Sequence, residues 1–206
     1  MLITFEGLDF CGKSTQVQLL ENYFKKQNKK IIVIREPGGT QISEKIRKIL
    51  LDRNHSEMKD ETEVLLFSAS RAQLVREVIL PALKENYFVI SDRFHDSSIA
   101  YQSFGRELNF DFVVQLQKFA IGEAIPAITF FIDIPVEEVA KRMSKVKHIE
   151  LDRIETSRLD FYERVRKGYL YLAENEKRIK LIDGTLSIEE IHMQIISEIE
   201  KQLERN

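Results

Sequence analysis

The chain has 206 residues, enough for one ordinary globular domain around a buried core, and its 43% hydrophobic and 31% charged content excludes a disordered or membrane-embedded protein. Its 31 basic against 33 acidic residues give a formal charge of −2, which excludes a surface tuned throughout to nucleic acid or anionic lipid but leaves room for a local basic pocket. A lone cysteine, Cys11, excludes an internal disulfide and suits a reducing compartment. No apolar run reaches membrane-spanning length, and residues 1–6 lack the length and basic flank of a secretory signal. A cytoplasmic protein with no membrane or nucleic-acid partner is therefore expected.

In chain order, the first apolar run is 2–5, followed by a glycine-rich turn and a helical pattern in which Val17, Leu20 and Phe24 share a face. A second run, 31–34, precedes a helix marked by Ile42, Ile46, Ile49 and Leu50. A long helical pattern over 61–85 is interrupted by Pro81, which predicts a kink or break. Further runs at 87–90, 128–132 and 179–182 complete a set of five. Pro135 marks a first helical turn, and Ser157 with Asp160 and Ser187 with Glu190 read as capping boxes. Residues 144–155 are rich in charge and poor in core residues, and read as a surface loop. Continuous apolar runs alternating with helices predict strands buried on both faces. The expected fold is a three-layer α/β/α domain over 1–206 with a five-stranded, mostly parallel sheet.

Gly7-Leu8-Asp9-Phe10-Cys11-Gly12-Lys13-Ser14 matches G-x-x-x-x-G-K-[ST] between a strand and a helix, as a phosphate-binding loop requires. Backbone N–H groups from Gly7 to Thr15 would converge on the phosphates of ATP. Lys13 would reach the β/γ-phosphates and the Ser14 hydroxyl would ligate Mg2+. Asp92 closes the third run, where it would hold Mg2+ directly or through a water, and Arg93 beside it would bridge the transferred phosphoryl oxygens. A surface ion pair is the alternative for these two. Asn28-Lys29-Lys30-Ile31 fails the guanine-reading pattern N-K-x-D, so a switch GTPase is a poor fit.

The phosphate loop with its flanks, Arg35-Glu36-Pro37-Gly38-Gly39-Thr40, and Leu66-Phe67-Ser68-Ala69-Ser70-Arg71 resemble segments of the thymidylate kinase (dTMP kinase) family. So do Asp92-Arg93 followed by Ser97-Ser98-Ile99-Ala100-Tyr101-Gln102, then Leu151-Asp152-Arg153-Ile154-Glu155, and Val165-Arg166-Lys167-Gly168-Tyr169-Leu170. The resemblance implies a P-loop NTPase fold, a homodimer, and transfer of the ATP γ-phosphoryl to dTMP, giving dTDP and ADP with Mg2+. Phe67 and Arg71 lie four apart on one helical face, which suits stacking on a flat base and bonding its edge; the resemblance makes that base thymine. It also assigns Ser98 and Gln102 to the base edge, Tyr101 to a place under the sugar, and Asp9 to the acceptor's 3′-hydroxyl. It makes Glu36-Pro37 a cis turn and sends Arg47 to the acceptor phosphate. The loop 144–155 would be a cationic lid carrying Lys145, Lys147 and Arg153. Lys13, Arg47, Arg71, Arg93 and the lid cations are thus expected to converge on one cleft.

Phe10-Cys11 departs from the small pair usual in bacterial members, and lysines in the lid stand where several relatives have arginines. Cys11 reads either as a reactive thiol against the phosphates or as a small packing residue. His55, His95, His148 and His192 show no ligand spacing. A deoxynucleoside kinase and a non-catalytic nucleotide-binding protein are the alternatives. Ser91, in place of a carboxylate before Asp92-Arg93, speaks against the first.

Overall fold

The five apolar runs form strands β1 (Leu2–Glu6), β2 (Ile31–Arg35), β3 (Phe88–Asp92), β4 (Ile128–Asp133) and β5 (Ile179–Asp183), in the order β2-β3-β1-β4-β5. The computed structural model describes residues 1–145, 152–154 and 159–204; Lys147, His148 and the cap at Ser157 lie outside them. Every strand pairing is parallel, so the sheet is wholly rather than mostly parallel. Burial on both faces holds for the inner strands but not for the edges, where Val33 on β2 and Leu181 on β5 are exposed. An edge strand lacks the flanking neighbour and overlying helices that cover an inner one.

Helices α1 (Lys13–Lys26) and α9 (Ile188–Glu204) pack on one face of the sheet. The other carries α3 (Asp60–Leu74), α4 (Leu80–Lys84), α5 (His95–Ser98), α6 (Phe110–Ile121) and α8 (Leu159–Asn175), while α2 (Gln41–Leu51) packs on α3 and α7 (Val136–Lys145) on α8. Alternation along β1 explains the layering. Ile3 and Phe5 join the apolar side with Leu20 and Phe24, whereas Thr4 and Glu6 face the second layer, where Thr4 meets Thr129. Ser187 and Glu190 form the expected capping box at the start of α9, with reciprocal bonds of 2.9 and 3.2 Å. Pro135 sits one residue before α7 rather than in its first turn.

Pro81 does not break its helix. A π-helical turn, Val75–Ile79, joins α3 directly to α4, and the Leu80 N–H bonds Val75 O five residues back. The wider turn absorbs the carbonyl that a proline without an N–H leaves unpaired. A second π-helical turn, Ile99–Gly105, extends α5 and carries Tyr101 and Gln102 to the sheet's carboxyl edge. It packs tightly on α8, because a Cβ on Gly168 would stand 2.8 Å from Phe104 and one on Gly105 2.6 Å from Phe161. On α2 the expected apolar face is only partly covered: Leu50 is buried, but Ile42 and Ile49 are exposed.

Candidate active site

The carboxyl ends of β1, β2 and β3 deliver Gly7, Glu36 and Asp92 with Arg93 to one edge of the sheet, the usual ligand-binding side of a parallel α/β fold. Gly7, Phe10 and Gly12 take positive φ angles of 141°, 62° and 103° in the phosphate loop. Gly7 is sterically required, since a Cβ there would meet Ile132 O at 2.5 Å. Lys13 donates to Gly7 O at 3.2 Å and Leu8 O at 2.7 Å, and Ser14 Oγ donates to Asp92 Oδ2 at 2.6 Å. Two hard oxygen donors therefore sit side by side at the start of α1, a donor set that suits Mg2+.

Two cavities meet here. The first is lined by Phe10, Gly12, Lys13, Ser14, Thr15, Arg35, Asp92 and Arg142. The second is lined by Pro37, Leu51, Phe67, Arg71, Ser97, Ser98, Tyr101, Gln102, Asp152 and Ile154. Asp9, Glu36, Arg47 and Arg93 line both, and so mark the junction.

Arg93 is fixed on every side. Nη1 donates to Gly7 O at 3.0 Å, Ser97 Oγ at 3.2 Å and Tyr169 OH at 3.3 Å. Nη2 donates to Asp9 Oδ1 and, at 3.1 Å, to Tyr101 OH. Burial pushes the Asp9 carboxyl up, but Arg93 and Lys13 override it and hold it below the usual carboxylate range. Arg47 donates to Pro37 O at 2.8 Å. Burial and the neighbouring Arg35 guanidinium lower its pKa, as befits crowded cations that an anion would relieve. Behind the junction, Glu6 accepts from Phe94 N at 2.8 Å and from Tyr169 OH at 3.0 Å, and also from Ser97 Oγ. Burial and nearby Asp96 raise the Glu6 pKa to about 7.

In the second cavity Arg71 is 1% exposed. Nε donates to Glu36 Oε2 at 2.7 Å, Nη2 to Phe94 O at 3.0 Å, and Nη1 to Ser98 Oγ at 2.8 Å and to Gln117 Oε1. Nη2 also approaches Glu36 Oε2 at 2.6 Å. Burial pushes the Glu36 carboxyl up against the pull of Arg71. Its buried Oε1 has no partner among the described residues. The Glu36–Pro37 peptide is cis. Gln102 Nε2 donates to Glu63 Oε1 at 3.0 Å.

Of the expected site residues, Asp9, Phe10, Gly12, Lys13, Ser14 and Thr15 of the phosphate loop, those at the ends of β2 and β3, and those of the Phe67 and Ser98 segments line the two cavities, whereas Gly7, Leu8 and Cys11 line neither and the Leu8 and Cys11 side chains turn into the core. Cys11 is 1% exposed and packed in the core, so its thiol does not face the phosphate cavity, and the packing alternative is the one observed. The lid residues divide. Lys145 is exposed at the end of α7. Arg153, expected near the phosphates, lines neither cavity and instead bonds Leu50 O at 2.9 Å and Glu63 Oε2 at 2.6 Å. Arg142 went unforeseen. It donates to Phe10 O at 3.3 Å, Cys11 O at 3.4 Å and Gly184 O at 2.9 Å, bracing the phosphate loop from α7. Its one sequence signal is the i,i+4 pairing with Glu138, which reads as an ordinary surface pair.

A family model described as thymidylate kinase matches residues 5–195. The thymidylate kinase of Kosmotoga olearia is 52% identical over 200 residues, covering 96% of this chain and 94% of that protein. That of Thermosipho melanesiensis is 50% identical over 204 residues, covering 99% and 100%. Among solved structures, the thymidylate kinase of Ehrlichia chaffeensis superposes with a TM-score of 0.78 at 32% identity, covering 97% of this chain and 98% of that one.

Proposed function

The chain belongs to the thymidylate kinase family, and from that premise we propose how its two cavities divide the work of moving the ATP γ-phosphoryl to dTMP. ATP lies in the phosphate-loop cavity and dTMP in the second. The observation that carries this reading is that Asp9, Glu36, Arg47 and Arg93 line both cavities; on this reading the arginine pair stands where the two phosphate chains meet. Lys13 and Arg93 neutralise the transferred group, Arg47 holds the acceptor phosphate, Phe67 stacks on the thymine, and Tyr101 lies under the sugar. Ser14 and Asp92 would hold Mg2+, which supplies charge neutralisation on the ATP phosphates. The acceptor phosphate has a second pKa of about 6 and needs no general base. Catalysis is then positioning plus electrostatics.

ADP release with dTMP, dUMP and thymidine as acceptors tests the assignment. Turnover is expected with dTMP, requires Mg2+ and is abolished by a chelator. Turnover with thymidine in preference to dTMP would overturn it in favour of a deoxynucleoside kinase.

The whole chain reads as one cytoplasmic domain that works as a homodimer. Ile42 and Ile49 on α2, Leu65 on α3, and Phe112 and Phe119 on α6 leave apolar side chains exposed on successive neighbouring helices, and Phe119 is 75% exposed. Among the described residues no helix is long and apolar enough to cross a membrane. In sedimentation the wild type should run at twice the chain mass and Phe119→Glu as a monomer. An unchanged mass for the variant removes α6 from the interface.

A further inference from the structure

Glu63, in the first turn of α3, lines neither cavity, yet four hydrogen bonds converge on it. It is fully buried and accepts from Gln102 Nε2 at 3.0 Å, Arg106 Nε and Nη2 at 3.2 Å each, and Arg153 Nη2 at 2.6 Å. Burial alone would push its carboxyl up, but Arg106, Gln102 and Arg153 override this and hold it below the usual range.

An ionised carboxylate has only lone pairs to offer. Gln102 must therefore turn its NH2 toward Glu63, which leaves Oε1 as the other arm of the same planar amide. Gln102 lines the second cavity, and no protein donor bonds its Oε1 among the described residues. A neutral partner at position 63 could donate as well as accept, and the amide would be free to turn over. The orientation of Gln102 is thus set from the side that the substrate does not touch.

The chemistry of pyrimidine bases gives this orientation a consequence. Thymine and uracil carry an N–H at ring position 3, whereas cytosine carries a lone pair there. An acceptor fixed at the cavity wall matches the first two and opposes the third. Resting on the thymidylate kinase reading, we infer that Glu63 is a positioning residue that sets the preference for an N3–H pyrimidine over cytosine by fixing the Gln102 amide.

The test compares kcat/KM of wild type and Glu63→Gln on dTMP, dUMP and dCMP. The dTMP-to-dCMP ratio is expected to fall by about tenfold or more, because a buried site rejects a base chiefly through an unpaired polar group. The dTMP-to-dUMP ratio should stay within about twofold of wild type, since both bases present the same edge. A uniform loss on all three nucleotides, or an unchanged dTMP-to-dCMP ratio, overturns the inference. Glu63→Gln leaves two guanidinium groups without their carboxylate. The charge-matched pair Glu63→Gln/Arg106→Gln carries the same ratios if the single variant does not fold. In a Gln102→Leu background the substitution should no longer shift the ratio; a persisting shift means that Glu63 acts by another route, which also overturns it. A wild type that phosphorylates none of the three nucleotides overturns the kinase reading itself, a result distinct from a uniform loss in the variant.

Discussion

Replacing Arg93 with methionine is expected to lower kcat by about a thousandfold or more while the KM for ATP changes far less. The guanidinium stands at the junction of the two cavities, held by Gly7 O, Ser97, Tyr169, Asp9 and Tyr101, so its position is set before either phosphate chain arrives. Preorganised charge acts on the transition state without waiting for the protein to rearrange, and methionine keeps the length while removing that charge. The substitution also strips Asp9 of its main cationic partner, so its carboxyl should titrate higher in the variant. Steady-state kinetics with both substrates varied will decide. A kcat within about tenfold of wild type would show that Arg93 organises the site without stabilising transferred charge.

The second large effect is expected at Arg71. Arg71→Ala should destabilise the fold by about 3–5 kcal/mol, because it leaves Glu36 buried with neither oxygen paired and strands Gln117 and Phe94 O. The same change should raise the KM for dTMP far more than that for ATP, since Arg71 lines only the second cavity. Denaturant unfolding measures the first effect and kinetics the second. Equal rises in both KM values would remove Arg71 from nucleoside recognition and leave it a purely structural cation.

Much of this was legible in the amino-acid order, for identifiable reasons. Strands such as 128–132 are nearly continuous apolar runs, and the structure moves their ends by no more than about two residues, the usual uncertainty of element boundaries. The phosphate loop carries its mechanism in local spacing. The misses share a different cause, which is contact between segments far apart in sequence. Nothing near Glu63 says that Arg106 and Arg153 will meet on it, and the pairing of Arg142 with Glu138 hides its reach to Phe10 and Gly184. Cys11 was ambiguous because its place in the phosphate loop does not say that the loop turns its side chain into the core. Pro81 signalled disruption but not its form, an extra residue in one widened turn that leaves the helix continuous.

The strand order also governs when the phosphate loop can take shape during synthesis. β1 leaves the ribosome early, yet it is zipped between β3 and β4, and its partner across the Thr4–Thr129 contact is 125 residues away. At roughly 5–20 residues per second that is a wait of about 6–25 s. Even the close approach of Gly7 to Ile132 cannot exist until β4 is made. Until β3 is made the apolar strand has both edges open, and until β4 is made one of them stays open, the circumstance in which parallel sheets aggregate. The most local motif in the chain therefore belongs to one of its least local structures, and translation speed, temperature and chaperone supply should decide the yield of active protein more than the stability of the finished fold.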